Sequence, residues 1–394
     1  MELGAATTPR APRARRAPRA PRRRVTGFAR VRRVALIAAL VALVPTLFSY
    51  ALTMNEPSNS SLGIRTVEWL RDHGAAGLVS SVESIYYSLT APAKGGPTLR
   101  SLPKVGYTTA GGGGAGAGQT QAEYRPATVP PMLQPALPGE GAWHATRPSL
   151  EGEPPVLVTT IRDQPEYPRV LAGLAWINAR HTRLALYPGR LEPAVELPRG
   201  PMEVPRYERA SLLATFNSAF KLADSGGGFV DGGHTYASMR DGLATLVGYT
   251  DGTVDVVKWE YGARAPSNVS FARQNLGLLV DEGRAAPNLE NNSEWGATVG
   301  AAVLVWRSAI GVDRRGNLIY AAGEDQTVSS IAHALKQAGA VRAMELDINS
   351  YWTSFISYGS SGAGQPKNLL PSMDRPSSRY LEPDDRDFFA VFSR

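Results

Sequence analysis

Two carboxylates stand two residues apart in the apolar run "AMELDIN". Glu345 and Asp347 occupy positions where a buried strand ordinarily carries valine or leucine. Alternate side chains of an extended chain share a face. Glu345, Asp347 and Asn349 therefore point one way, and Met344, Leu346 and Ile348 point into a core. Same-face Cα atoms lie roughly 6.6 Å apart at ~3.3 Å rise per residue. Carboxyl pairs ~5–9.5 Å apart divide the labour of glycoside hydrolysis. Crowding two acids also lifts one pKa, which a general acid requires. A solvated sheet face, or one carboxylate held by an arginine, is the plainer use of the same pattern.

Arg307 interrupts the apolar run "AAVLVWRSAIGV" and must be paired or face a cleft. Its fork of donors suits a phosphate or carboxylate. A structural ion pair with one of the two acids is the alternative, and that would place it beside them. "LLATFNSAFK", 212–221, ends a strand in Asn217 and Lys221. An amide and an ammonium there can bind sugar hydroxyls or a phosphate, although asparagine after a strand also forms ordinary turns. The glycine-rich "DSGGGFVDGGHTYASMRDG", 224–242, lacks the Lys-Ser/Thr ending and following helix of a phosphate loop. It reads as a surface or substrate-facing loop. His234 beside Asp231 makes no metal site without further ligands, and no motif calls for a cofactor. Tyr351, Trp352 and Phe355 offer either a sugar-stacking surface or core packing.

These groups need a scaffold, and the pattern predicts an α+β one, mostly antiparallel strands with few helices. "LAWINARHTRLALYPG" gives two strands around "ARHTR", and "DGLATLVGYTDGTVDVVKWE" is a hairpin turning at Thr250-Asp251-Gly252. Another hairpin turns at 313–317. One helix follows, with Thr327 as N-cap, apolar Val328, Ile331, Ala332 and Leu335, and Gly339 beyond its end. The Glu345–Asp347 segment is the next strand, and "RDFFAVFSR" is the last.

Upstream, the chain of 394 residues carries a misleading charge of +7. Residues 1–33 hold eleven arginines and one glutamate, so the remainder is net −3, which argues against a nucleic-acid-binding fold. The arginines precede the uncharged run 34–52, long enough at ~1.5 Å per residue to nearly match a bilayer core of ~30 Å. We read a basic cytoplasmic tail at 1–33, a single-pass membrane helix at 34–52, and everything after 53 outside the plasma membrane. A cleavable signal is the lesser alternative. Cysteine is absent, so neither disulfides nor thiolate chemistry is available. Alanine, arginine and glycine usage suggests a bacterial source. Residues 53–90 form a membrane-proximal helical segment whose stripe of Leu78, Val79, Val82, Ile85, Tyr86 and Leu89 packs onto the main domain, or serves as a membrane-proximal or dimer contact. Residues 91–151 are a Pro/Gly-rich linker, and 152–394 the globular domain.

Taken together, "FNSAFK", "RSAIGVDRRGNLIYAAG" and "SSIAHALKQAGAVRAMELD" resemble, in order and spacing, the phosphodiester glycosidase domain family. Asn217, Phe220, Arg307, Gly311, Gly339 and Asp347 fall on the family's pattern. The family's "NGGFF" is "NSAFK" here, and its glycine-rich turn after the aspartate is Ile348-Asn349-Ser350-Tyr351-Trp352, residues that do not freely take positive φ. The resemblance implies a hydrolase cleaving a sugar-1-phosphodiester of a cell-envelope glycan. Asp347 would act as acid/base or nucleophile tuned by Glu345. Arg307, with Lys221, would hold the phosphate, Asn217 would bind sugar hydroxyls, and Asn349 and Ser350 would contact substrate. A non-catalytic glycan- or phosphopolymer-binding protein of the same fold is the alternative.

Overall fold

Among the described residues apolar alternation builds three sheets, all of them antiparallel. The structure, a computed structural model, describes residues 27–106, 125–147, 154–296 and 303–394. The largest sheet has eight strands in the order His144–Ala145, Val156–Ile161, Ala172–Ile177, Leu318–Gln326, Val305–Asp313, Ala340–Glu345, Leu278–Asp281, Arg284–Ala285. A second sheet orders Gly364–Asn368, Phe355–Ser360, Leu212–Asn217, Phe388–Ser393 and Thr182–Tyr187. The third carries the expected 244–258 hairpin, with Gly252 at φ 84° in its turn. The class is α+β, as the pattern predicted. The two strands flanking "ARHTR" belong to different sheets, so the chain crosses there from the first sheet to the second.

The central strands are apolar on both faces because both faces are covered. Ile310, Val312, Tyr320, Met344 and Leu346 meet Phe216, Phe355 and Phe389 of the second sheet. Their alternates, Ala309, Ile319, Ala321 and Ala343, meet Val328, Ile331, Ala332 and Leu335 of the Val328–Gln337 helix. Burying Ile331 and Leu335 contributes about 1.5–3 kcal/mol each. That helix starts at Thr327, whose Oγ1 accepts the Ser330 N–H at 2.9 Å while the Ser330 hydroxyl accepts the Thr327 N–H at 2.9 Å. It stops at Gly339, which takes φ 104°.

Residues 1–56 and 57–394 separate as two units. In the first, helix α1 (Gly27–Asn55) contains the predicted span with Pro45 inside and no buried residue. It is long and apolar enough to cross a membrane, a property signal sequences share. The basic tail lies outside the described residues up to 26.

In the second unit the 57–61 segment is tied down at once. Ser58 and Ser60 donate to Asp385 Oδ2 at 2.5 and 2.7 Å, and Asn59 donates to Asp384 at 2.9 Å. Helices α2 (Leu62–Leu70) and α3 (Ala76–Thr90) follow, broken by a five-residue turn in which Gly74 takes φ 83°. Of the expected linker, 107–124 and 148–151 lie outside the described residues. Residues 125–147 pack onto the domain. Glu140 and Arg162 form an almost fully buried ion pair at 2.7 Å, and Trp143 donates to the Ala127 carbonyl at 2.8 Å. Proline and glycine around these few anchors masked them in the composition.

Candidate functional site

The strand that carries the two acids stops between them. Its ladder to Val305–Asp313 pairs Glu345 with Ala309, and a last exchange joins Leu346 N–H to the Ser308 carbonyl and Ser308 N–H to the Asp347 carbonyl, both at 2.8 Å. Glu345 is thus still inside the sheet. It is completely buried and pairs with equally buried Arg307 at 2.5 Å. Arg307 also donates to the Gln326 and Trp295 carbonyls, at 3.2 and 3.4 Å. Burial pushes the Glu345 carboxyl up to about 7 against the opposing pull of Arg307.

Asp347 lies one step beyond the ladder and lines a cavity of about 500 Å³. Its Oδ2 accepts from Arg386 Nη2 at 3.3 Å, and its Oδ1 accepts the Asn349 N–H at 2.9 Å. Burial lifts its pKa above the ordinary aspartate value, and Arg386 pulls the other way. Arg386 lies against the Trp352 ring, 5.2 Å from its centroid, and donates to the Ala219 carbonyl at 2.9 Å. Its buried Nε has no hydrogen-bond partner among the described residues, so one donor of the fork stays unused.

The turn after Asp347 forms without glycine. No residue from 348 to 352 takes a positive φ. Two side-chain caps do the bending: Asp347 Oδ1 holds the Asn349 N–H, and Asn349 Oδ1 holds the Tyr351 N–H at 2.9 Å. The Asn349 carbonyl then accepts from Trp352 and Thr353 N–H. Ile348, expected in the core, is half-buried and lines the cavity instead, because the strand has ended.

The other predicted residues divide. Lys221 and Asn349 line the cavity with Asp347. Arg307 and Glu345 do not: they pair with each other inside the sheet, where a strand still flanked by neighbours sends its side chains into packing. Asn217 is also away from the lining. Its Nδ2 donates to the Ser308 hydroxyl and the Ser218 carbonyl, both at 2.9 Å, and its Oδ1 accepts from Tyr320 and from the Ser354 N–H. All four positions of the amide are used, leaving none for a sugar hydroxyl. The Ser308 hydroxyl it orients in turn meets the Asp347 N–H at 3.1 Å. Ser350 is half-buried in the turn, outside the lining. Of the aromatics, Phe355 is wholly in the core, Trp352 is buried against Arg379 and Arg386, and the Tyr351 hydroxyl accepts the Ser61 N–H at 3.0 Å. They form packing, with Trp352 also reaching the cavity wall.

Three cavity residues escaped sequence reasoning. Arg386 lies in "DDRD", 384–387, whose four consecutive charges against an apolar strand were the available signal. Glu68 and Glu83 come from α2 and α3, which cover the cavity. Glu68 forms an ion pair with Lys221, and Arg71 bridges Glu68 and Glu83. Lys221 and the nearby Arg386 oppose the burial of Glu68, and its carboxyl sits below the ordinary glutamate value. Among the described residues, no group of three or more His, Cys, Asp or Glu side chains is placed to hold a metal ion.

The family profile of the phosphodiester glycosidases matches residues 212–347, from the Leu212–Asn217 strand to Asp347 itself. That stretch is about a third of the chain. Among solved structures, the catalytic domain of zebrafish N-acetylglucosamine-1-phosphodiester alpha-N-acetylglucosaminidase, auto-inhibited by its pro-peptide, is 18% identical. That similarity covers 61% of this chain and 82% of the zebrafish one, with a TM-score of 0.41. A hypothetical protein from Synechocystis is 15% identical over 60% of this chain and 64% of its own, with a TM-score of 0.35. No curated protein matches the chain. A glycosidase-family segment implies a glycan or phosphodiester-linked sugar as substrate.

Proposed function

We propose that the chain is a membrane-anchored, extracytoplasmic hydrolase that cleaves a sugar-1-phosphodiester of a cell-envelope glycan. The observation that carries this reading is one buried carboxylate, Asp347, facing a cavity with Arg386 and Lys221 beside it. Asp347 is the general base. A carboxylate lifted above its usual pKa takes a proton from water more readily than an exposed one. The water oxygen bonds to the anomeric carbon as the carbon–oxygen bond to phosphate breaks, and the departing phosphate keeps the electron pair. Arg386 and Lys221 meet that charge. Glu345 and Arg307 do not touch substrate; they stiffen the strand end that presents Asp347. Asn217 positions the same strand end through Ser308.

While α2 and α3 cover the cavity, the Glu68 carboxylate occupies the cationic site, so turnover requires that cover to move. The test is the full chain in detergent with an N-acetylglucosamine-1-phosphodiester of a simple alcohol, read as released sugar. Expected is turnover by the wild type and, in Lys221→Ala, a KM raised about tenfold with kcat changed less, the pattern of lost ground-state binding. Affinity for the substrate without any released sugar would replace this reading with the non-catalytic binder.

A further inference from the structure

The apolar stripe of α3 faces outward. The row that turns to the domain is Val79, Glu83 and Tyr87, at helix spacing, and Glu83 and Tyr87 line the cavity. Leu78, Val82, Ile85, Tyr86 and Leu89 fall within about 100° of the helix circumference. They are between 61% and 80% exposed. A helix that merely roofs a cavity would bury its apolar row and turn its polar row to water. This one does the reverse, and it has no exposed charged residue among its described side chains. Five large apolar side chains side by side in water are a surface waiting for a partner.

We propose that this face of α3 lies in the interface of a lipid bilayer. The claim rests on the membrane-anchored reading above. Only residues 56–61 separate α1 from α2, at most ~20 Å of extended chain at ~3.3–3.6 Å per residue. If α1 spans a bilayer, every copy holds this segment within reach of the lipid surface. A second copy has no such tether. Tyr86 at the margin of an aliphatic stripe suits the boundary between headgroups and acyl chains. The absence of exposed cations predicts binding that follows apolar depth and is insensitive to salt and to anionic lipid. Because the opposite row of the same helix carries Glu83 and Tyr87 into the cavity wall, lipid contact would bear directly on the cover over Asp347.

The chain has no cysteine, so single probes can be placed. The full chain carrying Val82→Cys or Ile85→Cys, labelled with an environment-sensitive nitrobenzoxadiazole dye, is reconstituted in phosphatidylcholine vesicles. Lys336→Cys, on the exposed side of the Val328–Gln337 helix, is the comparison. Expected is at least twofold quenching at 82 and 85 by spin-labelled lipid and little by iodide, the reverse at 336, and no change between 50 mM and 500 mM salt, round values chosen to span about a threefold change in Debye length. Flotation with the vesicles combined with iodide-accessible probes at 82 and 85 would overturn the inference alone. Failure to float would overturn the anchored reading with it. Disulfide-linked dimers through Ile85→Cys, with no lipid quenching, would assign the face to a second copy and also overturn it.

Discussion

Glu345 with Arg307 and Asp347 with Arg386 are both acid–arginine pairs, their acids two residues apart in the chain, and only the second lines the cavity. Side-chain parity makes them equivalent. What separates them is the end of the hydrogen-bonded ladder. Glu345 is still flanked by neighbours and covered from above, so its charge is closed in with one arginine. Asp347 has strand on one side and an irregular turn on the other, so its carboxylate opens to space. A carboxylate becomes available for chemistry where regular pairing stops, and the pairing behind it fixes where it stops.

The largest expected effect is on the closed pair. Arg307→Ala leaves Glu345 charged or freshly protonated in a dry site and should cost about 3–5 kcal/mol in urea unfolding. A loss below 1 kcal/mol would mean that the pair is wet. Next comes the pH dependence of that pair. The folded pKa of Glu345 is raised from 4.5 to about 7, so the folded state holds the extra proton between those values. Its contribution to stability is therefore full below about 4.5 and is lost as pH rises through 7. Relative to Glu345→Gln, the wild type should weaken over that window by on the order of 3 kcal/mol. Parallel stability curves for the two proteins would contradict it. Asn217→Ala strips partners from Tyr320, Ser308 and the Ser354 N–H. It should cost about 1–3 kcal/mol, with turnover falling because Ser308 no longer orients the Asp347 backbone. Unchanged turnover would limit Asn217 to stability. The smallest effect belongs to the cover: Glu68→Gln weakens the pair with Lys221 and should raise kcat/KM a few-fold, whereas a decrease would make Glu68 part of the machinery.

The scaffold was legible where a local signal and the packing agreed. Thr327, the apolar spacing through Leu335 and Gly339 predicted the helix, and Thr250-Asp251-Gly252 predicted the hairpin, because capping and turn chemistry are decided within a few residues. Met344 and Leu346 were legible as core by period alone. Ile348 was not, since period says nothing of where a strand ends. Arg307 could be read as paired or functional, and its partner decided it. Arg386 and Glu68 could not be found from Asp347, because they reach it through the fold from 39 and 279 positions away in sequence. For α3 the apolar stripe was legible but its direction was not; packing onto the domain was one expectation, and of the stripe only Val79 turns that way.

The central claim is that Asp347, and not Glu345, does the chemistry. Its most direct test compares kcat of full-length Asp347→Asn and Glu345→Gln on one sugar-1-phosphodiester, each confirmed folded by its near-ultraviolet circular dichroism. Asp347→Asn should lose about 10²–10⁴-fold in kcat, while Glu345→Gln stays within about tenfold of the wild type. Wild-type turnover in Asp347→Asn, or an equal collapse in both, would contradict the account.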